Sequence, residues 1–556
     1  MAQQKWDEEV DLLVAGSGAA ALSAAIAGAD AGLNVLVVES TDKWGGTTAI
    51  SGGGLWMPNH PDMGKLGKED SPEKVREYMD VTIGDVGPAS SDERRDAYIA
   101  NVPVVYNEWK RLGVTWALSA DYPDYYPDKP GGMDGGRAIE TEPFDAKRLG
   151  SWHDSSRAML PAPLKTDDVW LLTRAWSSGA GFIRGAQFVG RTLKGVLSGK
   201  KLVGLGGAYA GHLMATARKL GVEVRLRTPI AEVIKDKKGV VVGAVVDTPA
   251  GPRRIGVTAG VVLGTGGFAR NAEWREKYHG VRGYTSAPEG DNGSGIQVGI
   301  DAGADVALMD DAWWGASVLM PDGEAQFSVN ERSDPFSIMV DQSGQRFVNE
   351  SASYIDVGHA ILERDKAVGA IPCWMITERR HQRRYLNNAA IQGLSKLKKA
   401  GTVVEADTIE ELAWKLGMDD DTLKATVERF NGFCATGVDE DFDRGRTAYD
   451  NYYGDPSLKN PNLGPIEKGP FRAFKMVPGD LGTKGGLLTD EHARVLDKAG
   501  KPIEGLYAAG NTTASVMGRT YPGAGSTIGP ATVFGYLGGK HAAARIQQSA
   551  TTTVVK

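Results

Sequence analysis

The chain has 556 residues, a net charge of −7 and 73 glycines, about twice the usual ~7% share. Such a length calls for two or three domains, and the acidic balance excludes a nucleic-acid-binding protein. Two cysteines without a CxxC pair exclude a disulfide scaffold, and the polar start MAQQKWDEEV and the lack of any long apolar run lead to an expected cytoplasmic location.

In chain order, the apolar spacing predicts a strand over 10–15, an alanine-rich helix over 19–31 and a second strand over 34–39. Helices are expected over 75–83 and 92–112, followed by a tyrosine- and proline-rich loop over 121–130. Strands return at 222–226 and 240–247, and 260–264 leads into a second glycine turn that holds Gly266. From about 312 to 481 glycine motifs thin out, and two helices (408–416, 420–434) precede an irregular loop over 439–468. This stretch reads as an insertion, so 1–311 and 483–556 form one domain and 312–482 a second. The tail 547–556 is expected to be unstructured.

The first motif, Gly16-Ser17-Gly18-Ala19-Ala20-Ala21, lies between the first strand and the first helix. Gly16 allows the tight turn and Gly18 lets backbone approach a diphosphate at the helix N-terminus, where N–H groups and the dipole favour an anion. Ala21 is small enough for helix–strand packing. Glu39 ends the second strand, where its carboxylate can accept from a ribose diol and would repel a 2′-phosphate. Gly45, Gly46, Thr47 and Thr48 follow, then Ser51, Gly52 and Gly53, which is more phosphate and ring contact than a nicotinamide dinucleotide needs. Near the other end, a strand runs into Gly510-Asn511, the return that approaches a flavin ring. Together these point to FAD and to an α/β fold: a Rossmann-like FAD-binding domain with an inserted α+β catalytic domain.

The strings WGGTTAISGGGLWMPN, PDYYP, LMDDAWWG, RFVNESASY, PGDLGTKGG and AAGNTTASVMGRTYPGAG resemble the 3-ketosteroid Δ1-dehydrogenases, over about 10–535. Those enzymes are a branch of the flavoprotein superfamily that includes fumarate reductase. The resemblance implies a 3-ketosteroid substrate and four active-site positions. The Tyr521 hydroxyl and Gly525 N–H would bind the C3 carbonyl. Tyr354, assisted by Tyr125 (with Tyr126 as the alternative match), would take the C2 proton, and the C1 hydride would go to flavin N5. Such roles fit the chemistry, because only C2 is acidified by the ketone and two donors at its oxygen stabilise the developing enolate.

The dicarboxylate enzymes of the superfamily grip their substrates with arginines and a histidine. Here Ser351-Ala352-Ser353-Tyr354 and Leu481 stand in those places. Some of these relatives attach the flavin through a histidine just before the threonine of the second glycine motif; Gly46 precedes Thr47 here, so the resemblance implies noncovalent FAD. The remaining rivals are a dehydrogenase acting at C4–C5 of ring A and a flavin-binding module without catalysis. Eight histidines are scattered without ligand spacing, so no metal is expected. The physiological electron acceptor is not encoded in any motif.

One segment reverses the local charge. Residues 170–201 carry Arg174, Arg184, Arg191, Lys194, Lys200 and Lys201 and no acid, among many apolar side chains. Phe182, Val189, Leu193 and Val196 could share one helical face, so a peripheral contact with the inner face of the membrane is expected there. The six glycines of this segment argue against a stable helix.

Overall fold

The computed structural model describes residues 5–157, 161–387, 391 and 393–554, with 548–554 described for the backbone alone. Its first strand, Glu8–Ala15, is sandwiched in parallel between Val35–Val38 and Gly251–Leu263. Leu12, Leu13 and Val14 are all buried, the unbroken apolar run of a strand covered on both faces. Pro502–Ala508 extends the same sheet in parallel beyond Gly251–Leu263.

The register decides where the site lies. Ala15 pairs with both Val38 and Leu263, and Leu263 pairs with Ala508. Four strands therefore end level with one another. The loops that follow them, opening at Gly16, Glu39, Gly264 and Ala509, meet at one sheet edge, the usual ligand position in such folds.

The helix Ala19–Asp30 is buried from Ala19 through Gly28, wedged between this sheet and the C-terminal helix Ile528–Val554. The two helices touch backbone to backbone: a Cβ on Gly535 would stand 2.3 Å from the Ala20 carbonyl oxygen, and one on Gly539 2.4 Å from that of Ala24. The alanines and glycines are thus there for approach distance. The C-terminal helix also continues to Val554, so the tail expected to be unstructured is helical that far, as propagation of an established helix is inexpensive; 555–556 lie outside the described residues.

A second sheet has seven strands, with Phe471–Thr483 antiparallel to both Ala312–Leu319 and Cys373–Thr377. It also takes in the short strand Tyr284–Thr285, which precedes 312 in the chain. The loop expected over 439–468 is not wholly irregular. Thr447 accepts from the Asp450 N–H and caps a short helix, Ala448–Tyr453.

The basic segment forms two helices, Thr166–Leu172 and Gly179–Leu197. Its glycines do not prevent this. Ser178 caps the second helix by accepting from Gly181 N–H, and of its buried glycines Gly181 sits against the backbone of Leu171 and Arg174 and Gly195 against Leu202. The helix–helix contact at Gly535 predicts that Gly535→Val costs about 1–3 kcal/mol, read as a lower chemical-denaturation midpoint; an unchanged midpoint would contradict it.

Candidate active site

A cavity of about 530 Å³ starts at the edge where the four strands end and reaches the second sheet. Gly16, Gly18, Ala19, Ala20 and Glu39 line its inner end, followed by Gly46, Thr47, Thr48, Ser51, Gly52 and Gly53. Gly266, Gly510 and Asn511 line it from the other side of the chain. Gly45 stands behind the lining. It adopts a left-handed turn (φ 106°), and its N–H donates to Ser17 Oγ at 2.9 Å, which in turn donates to Glu39 Oε2 at 2.6 Å.

The inner end fits a flavin dinucleotide. A Cβ on Gly16 would lie 2.2 Å from the Gly264 carbonyl oxygen, and Gly16 has φ 101°, so only glycine serves at this turn. Glu39 Oε1 accepts from the N–H and hydroxyl of Thr41, each at 3.0 Å, while Oε2 holds only Ser17 and keeps acceptor capacity for a diol. Thr48 Oγ1 accepts from Ala19 N–H at 3.0 Å, fixing the helix start where a diphosphate would sit. Asp291 was not foreseen. It lines the cavity, burial pushes its carboxyl up to about 7 against the Gly267 N–H, and its Oδ2 has no protein partner. No histidine or cysteine is among the lining residues.

At the far end the three tyrosines named from sequence come together. Ring centroids are 5.1 Å apart for Tyr125 and Tyr521, 4.8 Å for Tyr354 and Tyr521, and 5.4 Å, edge to face, for Tyr125 and Tyr354. Each arrives from a different element. Asp124, buried and bonded to Arg137 at 2.7 Å and to the Trp56 indole N–H at 2.8 Å, pins the loop that carries Tyr125. The Tyr125 N–H then donates to the Pro522 carbonyl at 2.9 Å, tying that loop to the one bearing Tyr521. Tyr126, the alternative match, turns away from the lining and donates to Asp356 at 3.0 Å. Tyr354 opens the helix Tyr354–Val368, just after Glu350, whose carboxylate is clamped by Arg346 at 2.8 Å. Lys484 donates to the Thr520 carbonyl at 2.8 Å, next to Tyr521.

Gly525 lines the cavity with φ 90°, and a Cβ there would stand 2.3 Å from the Gly54 carbonyl oxygen. Its N–H and that of Thr527 favour the ionised form of Tyr521. Burial raises Tyr521, while hydrogen bonds from Tyr354, Thr527 and Gly525 hold that rise back. Tyr354 is pushed well above the tyrosine range, first by burial and then by the neighbouring Tyr521. The Tyr354 ring packs on those of both Tyr521 and Tyr125, and the Tyr125 hydroxyl meets that of Tyr122 at 3.3 Å.

Three more tyrosines belong to this end. Tyr453 hydrogen-bonds Tyr122, Tyr449 lies 4.3 Å from Tyr125 between rings, and Tyr452 stacks on Tyr122 at 4.4 Å. They come from Ala448–Tyr453, the helix missed in the sequence. The signal was present in AYDNYY, three aromatics at helical spacing inside an apparent loop. Leu481 and Phe327 complete an apolar floor, and Val169 and Trp170 lie where the lining meets the basic segment. The lining has one arginine, Arg157, whose Nη2 bonds Thr41 Oγ1 at 2.8 Å, at the dinucleotide end. Among the described residues, no group of three or more His, Cys, Asp or Glu is placed to hold a metal ion.

A parallel sheet whose strand ends cradle a dinucleotide, facing a second sheet across one long cavity, defines a flavoprotein. A family model described as an FAD binding domain matches residues 11–528. A 3-oxosteroid 1-dehydrogenase of Mycolicibacterium smegmatis is 42% identical over 95% of this chain and 96% of its own length. A 4-oxocyclohexanecarboxylate 2-dehydrogenase of Sinomonas cyclohexanicum is 35% identical over 95% of this chain and 92% of its own. The crystal structure of a 3-ketosteroid Δ1-dehydrogenase from Sterolibacterium denitrificans, in complex with 1,4-androstadiene-3,17-dione, superposes with a TM-score of 0.91 at 35% identity, over 97% of this chain and 100% of that one. The chain belongs to the FAD-binding family and, within it, to the 3-oxosteroid 1-dehydrogenases; its cofactor is FAD.

Gly18 provides a test of the cofactor cradle. In this structure the nearest neighbour of an added Cβ is Thr48 Oγ1 at 3.5 Å, so Gly18→Ala has room to fold. The methyl would stand where the diphosphate approaches. The expected outcome is an unchanged melting temperature without FAD and at least about tenfold weaker FAD binding, equal to ~1.4 kcal/mol. Equal affinity by fluorescence titration would contradict the placement.

Proposed function

We propose that the chain desaturates C1–C2 of ring A in 3-ketosteroids, with 312–482 as the domain that presents the substrate-side residues. The observation that carries this reading is the meeting of Tyr125, Tyr354 and Tyr521 at one end of the cofactor cavity, with Gly525 in the same lining. A ketone oxygen placed between the Tyr521 hydroxyl and the Gly525 N–H receives two donors. They stabilise the negative charge that forms on it as the C2 proton leaves. Tyr354 is the group that takes that proton. Bound FAD supplies the acceptor for the hydride from C1. FAD is held noncovalently, as supported by the absence of histidine and cysteine from the lining.

The electrostatics set conditions on this chemistry. Because Tyr354 is raised, its phenol is the resting form at neutral pH, and the small phenolate fraction that acts as base is correspondingly strong. Tyr521 is raised too, which keeps it a donor across the neutral range. Tyr125 and Tyr122 contribute apolar ring faces for a flat hydrocarbon and hydroxyls that hold the cluster together. A cyclohexanone carboxylate would require a cation exposed to the cavity at this end, and the one arginine among the described lining residues is at the other. This favours the steroid over the smaller substrate named for the Sinomonas relative, and the same lack argues against a dicarboxylate.

The helix Gly179–Leu197 is the contact with a lipid surface. Phe182, Val189, Leu193 and Val196 do share one face, and they are 70%, 53%, 56% and 67% exposed, so the protein itself leaves that face uncovered. Lys194, Lys200 and Lys201 are exposed beside it, while Arg184 and Arg191 turn back to Asp168. Val169 and Trp170, next to this helix, line the cavity, so a sterol-like substrate could pass from lipid to site without crossing water. No helix of the described residues is long and apolar enough to cross a membrane.

Purified holoenzyme should convert androst-4-ene-3,17-dione to the 1,4-dien-3-one with an artificial acceptor; conversion only of a 5α-saturated ketone at C4–C5 would favour the rival reaction. Tyr521→Phe should slow flavin reduction about 10²–10³-fold with FAD still bound. The wild-type rate should climb with pH throughout the neutral and mildly alkaline range, since the active base is the deprotonated form of a raised group; a flat profile would refute Tyr354 as base. In vesicle flotation with anionic lipid, the wild type should rise with the vesicles. Phe182→Asp combined with Leu193→Asp should stay below, and equal distribution of the two proteins would sink the lipid contact.

A further inference from the structure

Behind the tyrosines lies a buried cation that, among the described residues, touches no carboxylate. Arg332 is 0% exposed, and its guanidinium is held by backbone carbonyls alone. Nε donates to Ser328 at 3.4 Å, and Nη1 donates to Ala352 at 2.8 Å and also to Glu350. Nη2 has no partner, and no carboxylate of the described residues lies within ion-pair distance of the group. Burying a cation without a contacting carboxylate costs several kcal/mol. A negative charge that forms nearby during turnover would offset that cost.

The nearby carboxylates are not in contact with Arg332. Glu350 is held by Arg346 and Arg444, and Asp450 accepts from Asn349 and the Gly445 N–H. Asp356 accepts from Tyr126 and feels the Arg332 charge at longer range. Glu331 accepts from Ser328, and Asp334, whose carboxylate oxygens accept no hydrogen bond among the described residues, lies 3.8 Å from Arg174. Of the phenols, Tyr449 and Tyr453 feel the Arg332 charge directly, and it opposes the rise that burial imposes on both. Tyr449 packs on Tyr125, and Tyr125 on Tyr354 and Tyr521. The carbonyl that Arg332 bonds, that of Ala352, is two residues before Tyr354.

We propose that Arg332 is a positioning residue for proton abstraction: its fixed positive charge, one layer behind the tyrosine cluster, offsets the negative charge that appears on Tyr354 before abstraction and on the ketone oxygen after it. This rests on the proton-abstraction reading above. No atom is exchanged with Arg332, which stays a cation throughout: the Tyr354 phenol first loses its own proton to solvent, in the equilibrium that sets the phenolate fraction, and the C2 proton then passes to that phenolate.

Arg332→Gln keeps two N–H donors for the carbonyls and removes the charge, whereas Arg332→Lys keeps the charge and loses part of the carbonyl clamp. Both are compared with wild-type holoenzyme for kcat and KM from about pH 7 to about pH 9, with melting temperature alongside. The Gln variant is expected to lose at least about tenfold in kcat, the factor carried by one pKa unit. Its log kcat should run parallel to the wild-type line, with KM within about threefold. The Lys variant is expected to keep kcat within about threefold even where it melts earlier. A Gln variant with near-wild-type kcat, or a Lys variant that loses tenfold, overturns the proposal and leaves Arg332 a clamp. If the Gln variant does not accumulate as folded holoenzyme, the Lys variant decides by the same criterion. Wild-type turnover of the enone is the separate check on the underlying reading; only the ratios between variants and wild type bear on the charge.

Discussion

The alignment of four parallel strand ends carries the rest of the structure. Because Ala15, Val38, Leu263 and Ala508 stop level with one another, their loops have nowhere to go but a common edge, and that edge becomes the dinucleotide cradle. The small residues follow from it. Gly16 has to pass the Gly264 carbonyl, and the fingerprint helix has to lie close enough to the C-terminal helix to bring Thr527 and Ile528 back to the cavity. The abundance of glycine is thus a record of backbone contacts, made so that distant parts of the chain can share one ligand.

The second sheet puts a different chemistry at the other end of the same cavity. A dinucleotide needs N–H groups, hydroxyls and an acid; a ketone on a flat hydrocarbon needs apolar walls and a few donors at one point. Tyrosine meets both parts of the second requirement, since its ring is apolar and its hydroxyl can donate, accept or lose a proton. Burial then imposes a difficulty, because every phenol in the cluster is harder to ionise than in water. Clustering alone does not relieve it. The cation at Arg332 and the N–H groups of Gly525 and Thr527 are the elements that favour an anion there.

Much of this was legible in the sequence. The fingerprint, Glu39 and the glycine motifs report local backbone demands, which a one-dimensional reading captures well. Helix 92–112 was placed to the residue, since Ser91 and Gly113 punctuate it. The tyrosines at 125, 354 and 521 could be named only by resemblance, because nothing in their local spacing says that three distant loops will meet. Tyr449 and Tyr453 were missed because a six-residue helix has too few turns to show a period and lies among turn residues. In the segment 170–201 the helical face was legible, but the weight of its glycines was not. Its glycines looked like helix breakers, but two of them are contact points, and the capped helix survives the cost. Arg332 was invisible, as a buried cation that touches no carboxylate among the described residues is a fact of three-dimensional surroundings alone.

The central claim is that the proton leaves to a phenol and the hydride to the flavin from neighbouring ring carbons. Anaerobic flavin bleaching with androst-4-ene-3,17-dione carrying deuterium at C1 or at C2 tests it most directly. Slower bleaching with either label, together with loss of one deuterium from the labelled carbon, is the result expected. Bleaching insensitive to both labels, with the new double bond elsewhere in the ring, would contradict it.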